Sequence, residues 1–374
     1  MKSTWITLTV IILSTCLMLG CSSDKSDSYK VGIILSLTDR GATYGERSLR
    51  GIQLATDQLN ATENFKDKPI ELIIEDSESS GSGALTALRK LVSIDRVNVV
   101  IGMVLSDEVL TCAPFANKTK TIIFTPGAGS TKIREAGDYI FRNRESATLQ
   151  AEIIAKACIE QYNFKEVAIL HANAANGISY RDSFKKAIED LNGKVAKIVG
   201  YNENKTDFRA EIEQLRESNA KAVYLAGHDT EMGMILKQSR EVGYAPQYFA
   251  SAGAVSKKLL EISKEAAEGM ICATAPFNIE SDEINVKGFV EAYTNKYGSA
   301  PDWIAANSYD AVKIIAGILT SGAETSDKIK DALYSVQQYN GVGGITTFDS
   351  YGDVVKPVDL VIITEGVFVR MGDN

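Results

Sequence analysis

The chain is 374 residues long and 45% hydrophobic, with 40 basic against 48 acidic residues, a formal net charge of −8 and a pI near 5.1. That length suffices for roughly two domains and a substantial buried core. The acidic balance and the lack of a basic patch argue against nucleic acid as a partner.

The first residues read as an export signal. Lys2 supplies a positive start, Trp5 to Leu19 form an apolar stretch too short and too early for a bilayer span, and small residues follow. The expectation is a signal peptide over residues 1–20 and a tether over residues 21–28. The stretch ends LMLGCSSD, which resembles a bacterial lipobox made of Met18, Leu19, Gly20 and Cys21, with Met18 where leucine is usual. The resemblance implies lipidation at Cys21 and a protein held by its lipid to a bacterial membrane, on the periplasmic side or the cell surface. More than one acyl chain gives firm anchoring, since a single chain binds marginally. No later apolar run reaches the roughly 20 residues needed to span a bilayer.

From Tyr29 onward, short β-rich apolar runs alternate with helical patterns. Candidate strands are YKVGIIL, IELIIED, VNVVIG and KTIIFT in the first half, then EVAILH, VAKIVGY, AVYLAG and QYFASA. Helical patterns lie between them, as at Arg47–Asn60, Gly83–Ile94, Thr148–Tyr162 and Tyr180–Leu191. Strands alternating with helices imply βαβ units and parallel sheets, and two such series imply two similar α/β lobes.

The segments after the strands repeat as well. TYGE (Thr43 to Glu46) corresponds to ANGI (Ala175 to Ile178), MVLSDE to GHDTEM, and TPGAGS to ASAGAVS. In open α/β sheets, ligands bind outside the carboxyl ends of the strands. Two lobes facing each other through those ends enclose a cleft, and His228 stands on one wall of it.

Catalytic signatures are missing. The chain has no GxSxG, GxxxxGK[ST] or HExxH and no complete GxGxxG after a strand. Its two histidines, His171 and His228, pair with no cysteine in a nucleophilic pattern. SESSGSG reads as loop and GVGG at Gly341 to Gly344 as a flexible turn. Cys112, Cys158 and Cys272 lack metal-ligand spacing and read as buried thiols with room for at most one disulfide. Neither an enzyme activity, a cofactor nor a metal is expected.

The order and spacing of several segments carry a resemblance. They are VGIILSLTDRGATYGERSLRGIQLA, VNVVIGMVLSDEV with FTPGAGSTKI, FRNRESATLQA, TDFRAEIEQLR, AGHDTEMGMILKQSREVGY, AEGMICATAP and ANSYDAV. Together they resemble the substrate-binding proteins of branched-chain amino acid ABC transporters, the leucine/isoleucine/valine-binding family. The resemblance implies two Rossmann-like lobes joined by three crossing segments and closing on ligand by a hinge. It places the crossings near Arg144 to Thr148, Ala275 to Ile279 and Asp353 to Val358. The lobes then comprise residues 29–146 with 279–355, and 147–278 with 356–374. A monomer that hands a small-molecule ligand to ABC permease subunits is implied; a sensor of the same fold acting on a signalling partner is the alternative.

The family's binding residues carry over one by one. Its loop tyrosine matches Tyr44 and its helix-start serine matches Ser106, with Asp107 beside it. Its alanine, alanine and threonine after Pro126 fall on Gly127, Ala128 and Gly129, with Ser130 next. Its second-lobe tyrosines fall on Asn176 and His228, and its ammonium-binding glutamate falls on Ala252. Ser106 at a helix N-terminus suits a carboxylate, or serves as a plain cap. The small loop Gly127 to Ser130 lets backbone N–H groups approach an anion closely. His228 is open to two readings, a ligand contact or a strand-end histidine bonded to backbone; His171 reads as structural. Losing the glutamate leaves an ammonium without its partner, with Asp107 and Asp229 as the nearby substitutes. The expected ligand is therefore a small organic acid or amide without an essential α-ammonium group.

Overall fold

The computed structural model describes residues 28–372. The expected signal peptide, Cys21 and the tether up to Asp27 lie outside these residues. The first sheet contains β1 (Tyr29–Leu35), β2 (Ile70–Asp76), β3 (Val99–Gly102), β4 (Ile122–Thr125) and β5 (Ile140–Arg142), all parallel, in the order β2-β1-β3-β4-β5. Successive residues Ile33, Ile34 and Leu35 are all buried. Unbroken apolar runs of this kind belong to a parallel sheet covered on both faces.

The second sheet contains parallel strands β6 (Glu166–Ala172), β7 (Lys194–Tyr201), β8 (Ala222–Ala226), β9 (Gln247–Ala250) and β10 (Ile271–Thr274). After a separate hairpin of β11 (Tyr339–Gly341) and β12 (Gly344–Thr346), the chain returns to this sheet. It adds the antiparallel strands β13 (Asp359–Thr364) and β14 (Val367–Arg370), giving the order β14-β13-β10-β9-β8-β6-β7. All eight strands expected from the sequence are present.

The helices are α1 (Ala42–Asn60), α2 (Gly81–Lys90), α3 (Ser106–Thr119), α4 (Ala147–Lys156), α5 (Ala175–Asp190), α6 (Arg209–Glu217), α7 (Asp229–Glu241), α8 (Lys257–Ser263), α9 (Ile284–Tyr297), α10 (Trp303–Thr320) and α11 (Ser326–Tyr334). Residues of α9, α10 and α11 such as Phe289, Val312 and Leu333 share one core with Ile33, Ile52 and Phe124 of the first sheet and α1. Gly51 permits the closest part of that packing, because a Cβ there would lie 2.2 Å from the Ala305 carbonyl oxygen of α10. On the other side, Ala147, Ala151 and Ile154 of α4 pack with Val167 and Ile169 of β6. The chain thus passes between the two sheets after β5, after β10 and after β12.

Two expectations change. Helices α1 and α5 begin five residues earlier than the patterns at Arg47 and Tyr180 indicate, so Tyr44 and Asn176 stand in first turns and not in loops. Glycine makes this possible: a Cβ on Gly45 would lie 1.9 Å from the Ser36 carbonyl oxygen, and one on Gly177 2.3 Å from that of Ala172. The GVGG segment, expected to be a flexible turn, is pinned. The Val342 and Gly343 N–H groups donate to the buried Asp310 carboxylate at 2.9 and 2.7 Å.

Candidate functional site

The cleft is closed by contacts that the sequence could not anticipate in detail. Tyr44, at the start of α1, is buried, and its hydroxyl donates to the Gly253 carbonyl at 2.9 Å. The same oxygen accepts the Asp229 N–H at 2.9 Å. Burial pushes this phenol well above its usual range, so it remains a donor. One turn on, Arg47 pairs with Asp302 at 2.5 Å, reaches the buried Asp229 carboxylate at 3.4 Å and lies 4.8 Å from the Tyr44 ring centre. Arg40, after β1, pairs with Glu203, after β7.

His228 occupies the N-cap position of α7. Its ring meets Tyr44 edge-on at 5.6 Å, and its Nε2 lies 3.7 Å from Glu203. Burial depresses the imidazole below its ordinary value, which favours the neutral ring. His171 faces elsewhere: its Nδ1 lies 3.0 Å from the Ala172 carbonyl oxygen.

The N-termini of α3 and α5 meet across the cleft. Asp107 Oδ1 accepts the Ala175 N–H at 3.3 Å, and Ser130 Oγ lies 2.8 Å from Ser179 Oγ. Gly129 is needed here, since a Cβ would lie 2.9 Å from Asn176 Oδ1 and 3.0 Å from the Tyr180 hydroxyl.

Six of the expected residues come together around one cavity: Tyr44, Ser106, Asp107, Gly127, Asn176 and His228. Ala128, Gly129, Ser130 and Ala252 are not on its wall. Gly253 lines it in place of Ala252, whose N–H is turned to Gln150 Oε1 at 3.1 Å. Nor does the loop present a row of free N–H groups. Those of Gly127 and Ala128 approach Thr125 Oγ1 at 3.4 and 3.1 Å, and that of Ser130 donates to Ser106 Oγ at 3.1 Å. The short side chains of the loop let these nearby hydroxyls reach the backbone first.

Sequence reasoning missed Val104, Leu105, Gly253 and, above all, Arg144 on the wall. Arg144 is 4% exposed. Its Nη1 donates to the Gly127 carbonyl, its Nη2 to the Tyr180 hydroxyl at 3.1 Å, and its guanidinium carbon lies 4.5 Å from the Trp303 ring centre. The cue available was its place in FRNRE, a charged run directly after an apolar strand.

With the lobes in contact the cavity encloses about 10 Å³, close to the volume a single water requires. In this arrangement the cavity is too small for a solute larger than a water molecule. Among the described residues, no group of three or more His, Cys, Asp or Glu could hold a metal ion. Cys112, Cys158 and Cys272 are free and buried.

Comparison with known proteins adds a second line of observation. A family model described as periplasmic binding protein matches residues 28–366. The chain is 28% identical to the leucine-, isoleucine-, valine-, threonine- and alanine-binding protein of Pseudomonas aeruginosa over 334 residues, covering 89% of this chain and 88% of that one. Among solved structures, it superimposes on the leucine-binding protein LivK of Thermotoga maritima with a TM-score of 0.86 at 26% identity, covering 92% of this chain and 97% of the other. It also superimposes on the branched-chain amino acid binding protein LivJ of Streptococcus pneumoniae, solved with isoleucine. There the TM-score is 0.85 at 25% identity, and the coverage is 92% of this chain and 100% of the other.

Proposed function

The chain belongs to the periplasmic binding protein family, whose matching members are exported solute-binding proteins of ABC transporters and not enzymes, and on that premise we propose that it captures a small carboxylate or amino-acid-like solute in its interlobe cleft and delivers it to an ABC permease. The observation that supports this most directly is the cavity wall. Tyr44, Ser106, Asp107 and Gly127 come from the first-sheet side, while Asn176, His228 and Gly253 come from the second. A solute held by both walls favours the closed arrangement over the open one by its differential affinity for the two.

In this reading, the protein works from the outer face of a membrane, tethered by lipid on Cys21. The bound solute is an organic acid or amide without an essential α-ammonium group. Asp229, one of two carboxylates able to replace the missing glutamate, is committed to Arg47 and to the Thr230 N–H at 2.8 Å. The other, Asp107, already accepts the Ala175 N–H.

A screen by thermal shift across amino acids, amides, aromatic acids and short-chain carboxylates identifies binders. Small-angle scattering then tests the mechanism: a saturated sample held closed by its ligand has a smaller radius of gyration than one whose lobes part freely. A bound compound that leaves both the scattering and the accessibility of the cleft unchanged defeats the proposal.

A further inference from the structure

We propose that Arg144 receives the anionic group of the solute, so that the cleft selects a carboxylate over its neutral amide. This deepens the solute-capture reading and rests on it. The contrast with Arg142, two residues earlier, is informative. Both guanidinium groups are buried, at 1% and 4% exposure. Arg142 is gripped on two nitrogens by Asp353, at 3.0 and 2.7 Å. Arg144 has neutral partners: a backbone carbonyl, a phenol and an indole face. Among the described residues no carboxylate pairs with it, and its buried Nε–H has no hydrogen-bond partner.

A guanidinium is charged at every physiological pH and presents its donors in a planar fork matched to a carboxylate. Burying one beside a cavity without an anion in contact is unfavourable, and a ligand carboxylate reverses that. Four nearby backbone donors already have acceptors. The Gly127 and Ala128 N–H groups turn to Thr125, the Ser130 N–H to Ser106, and the Leu105 N–H to Glu108 at 3.4 Å. Glu145, the adjacent residue, is buried with neither carboxylate oxygen hydrogen-bonded; its charge is balanced first by Lys356 and to a lesser degree by Arg144, with no ion pair formed between Glu145 and the Arg144 guanidinium. Specificity for the charged acid then comes from the crossing segment, in addition to whatever the α3 terminus supplies.

The test uses matched pairs on the full-length protein: 4-methylpentanoate against 4-methylpentanamide, and 3-phenylpropanoate against 3-phenylpropanamide, by calorimetry. In the unmodified protein the acid of the better pair should bind about a hundredfold more tightly than its amide. Arg144→Gln should abolish that preference, and Arg144→Lys should restore part of it. Equal binding of acid and amide by the unmodified protein overturns the proposal, whatever the variants do. So does an intact acid preference in a folded Arg144→Gln protein, or binding of amides and amino acids without either acid. In each of these cases a bound compound that still compacts the protein leaves solute capture standing. Only a failure of every bound compound to close the lobes removes that reading too.

Discussion

Arg142 and Asp353 form a buried two-point ion pair, with Nε and Nη2 donating at 3.0 and 2.7 Å, that ties the end of β5, just before the first chain crossing, to the start of the third. The Arg142 Nη1 also donates to the Ser130 carbonyl at 2.9 Å, so the cleft loop is fastened to the same point. Removing one partner of a buried pair leaves the other charge uncompensated. Asp353→Ala should therefore lower stability by about 3–5 kcal/mol, read as a lower urea midpoint. A loss below about 1 kcal/mol would show that solvent or Asp349 takes over the arginine.

Tyr44 is the second device, because one hydroxyl serves two backbone groups of the opposite wall. Tyr44→Phe keeps the ring against His228 and removes both hydrogen bonds. At about 1 kcal/mol each, the closed arrangement should weaken by about 2 kcal/mol. Scattering of the ligand-free variant should show a larger radius than the unmodified protein, while its unfolding midpoint changes little. An unchanged radius would mean that the ion pairs Arg40–Glu203 and Arg47–Asp229 hold the lobes without it.

His228 should make stability depend on pH in a defined direction. Burial is the main cause holding its imidazole below the ordinary value. The unfolded chain then binds more protons below about pH 6.5, so stability present above that value is lost as pH falls. His171, also depressed mainly by burial, acts in the same sense. Asp310, pushed up to about 6 by burial, acts oppositely, its contribution being lost as pH rises. The difference in unfolding free energy between the unmodified protein and His228→Asn isolates the one group. It should be flat above about pH 7 and shrink toward about pH 5. A constant difference across that range would remove the titration of His228 from the account.

Anchoring has its own test. The LMLGC stretch leads us to expect membrane-bound protein that becomes soluble when Cys21→Ala is introduced. Fractionation with mass analysis of the mature N-terminus decides it, and soluble, unacylated protein from the unmodified gene would refute it.

What the sequence determined by itself is the kind of the main elements: eight of the fourteen strands among the described residues and the helical patterns between them. Runs such as VGIIL and AVYLA are apolar without alternation, and only strands covered on both faces bury every side chain of such a run. Paired with intervening helical patterns, they imposed the parallel strands of two sheets, and the segments after them marked which strand ends would face a cleft; the antiparallel β13 and β14 carried no such signal. Tertiary structure decided which side chains reach that cleft. Tyr44 and Gly253 touch although 209 positions separate them, and no local pattern encodes such a distance. The fate of the Gly127, Ala128 and Ser130 N–H groups depended on where Thr125 and Ser106 placed their hydroxyls. Arg142 and Arg144 look alike in FRNRE, yet one meets a carboxylate from a crossing more than 200 residues away and the other does not. Local periodicity fixes burial and secondary structure, whereas the partner of a buried charge is set by whichever distant segment packs against it.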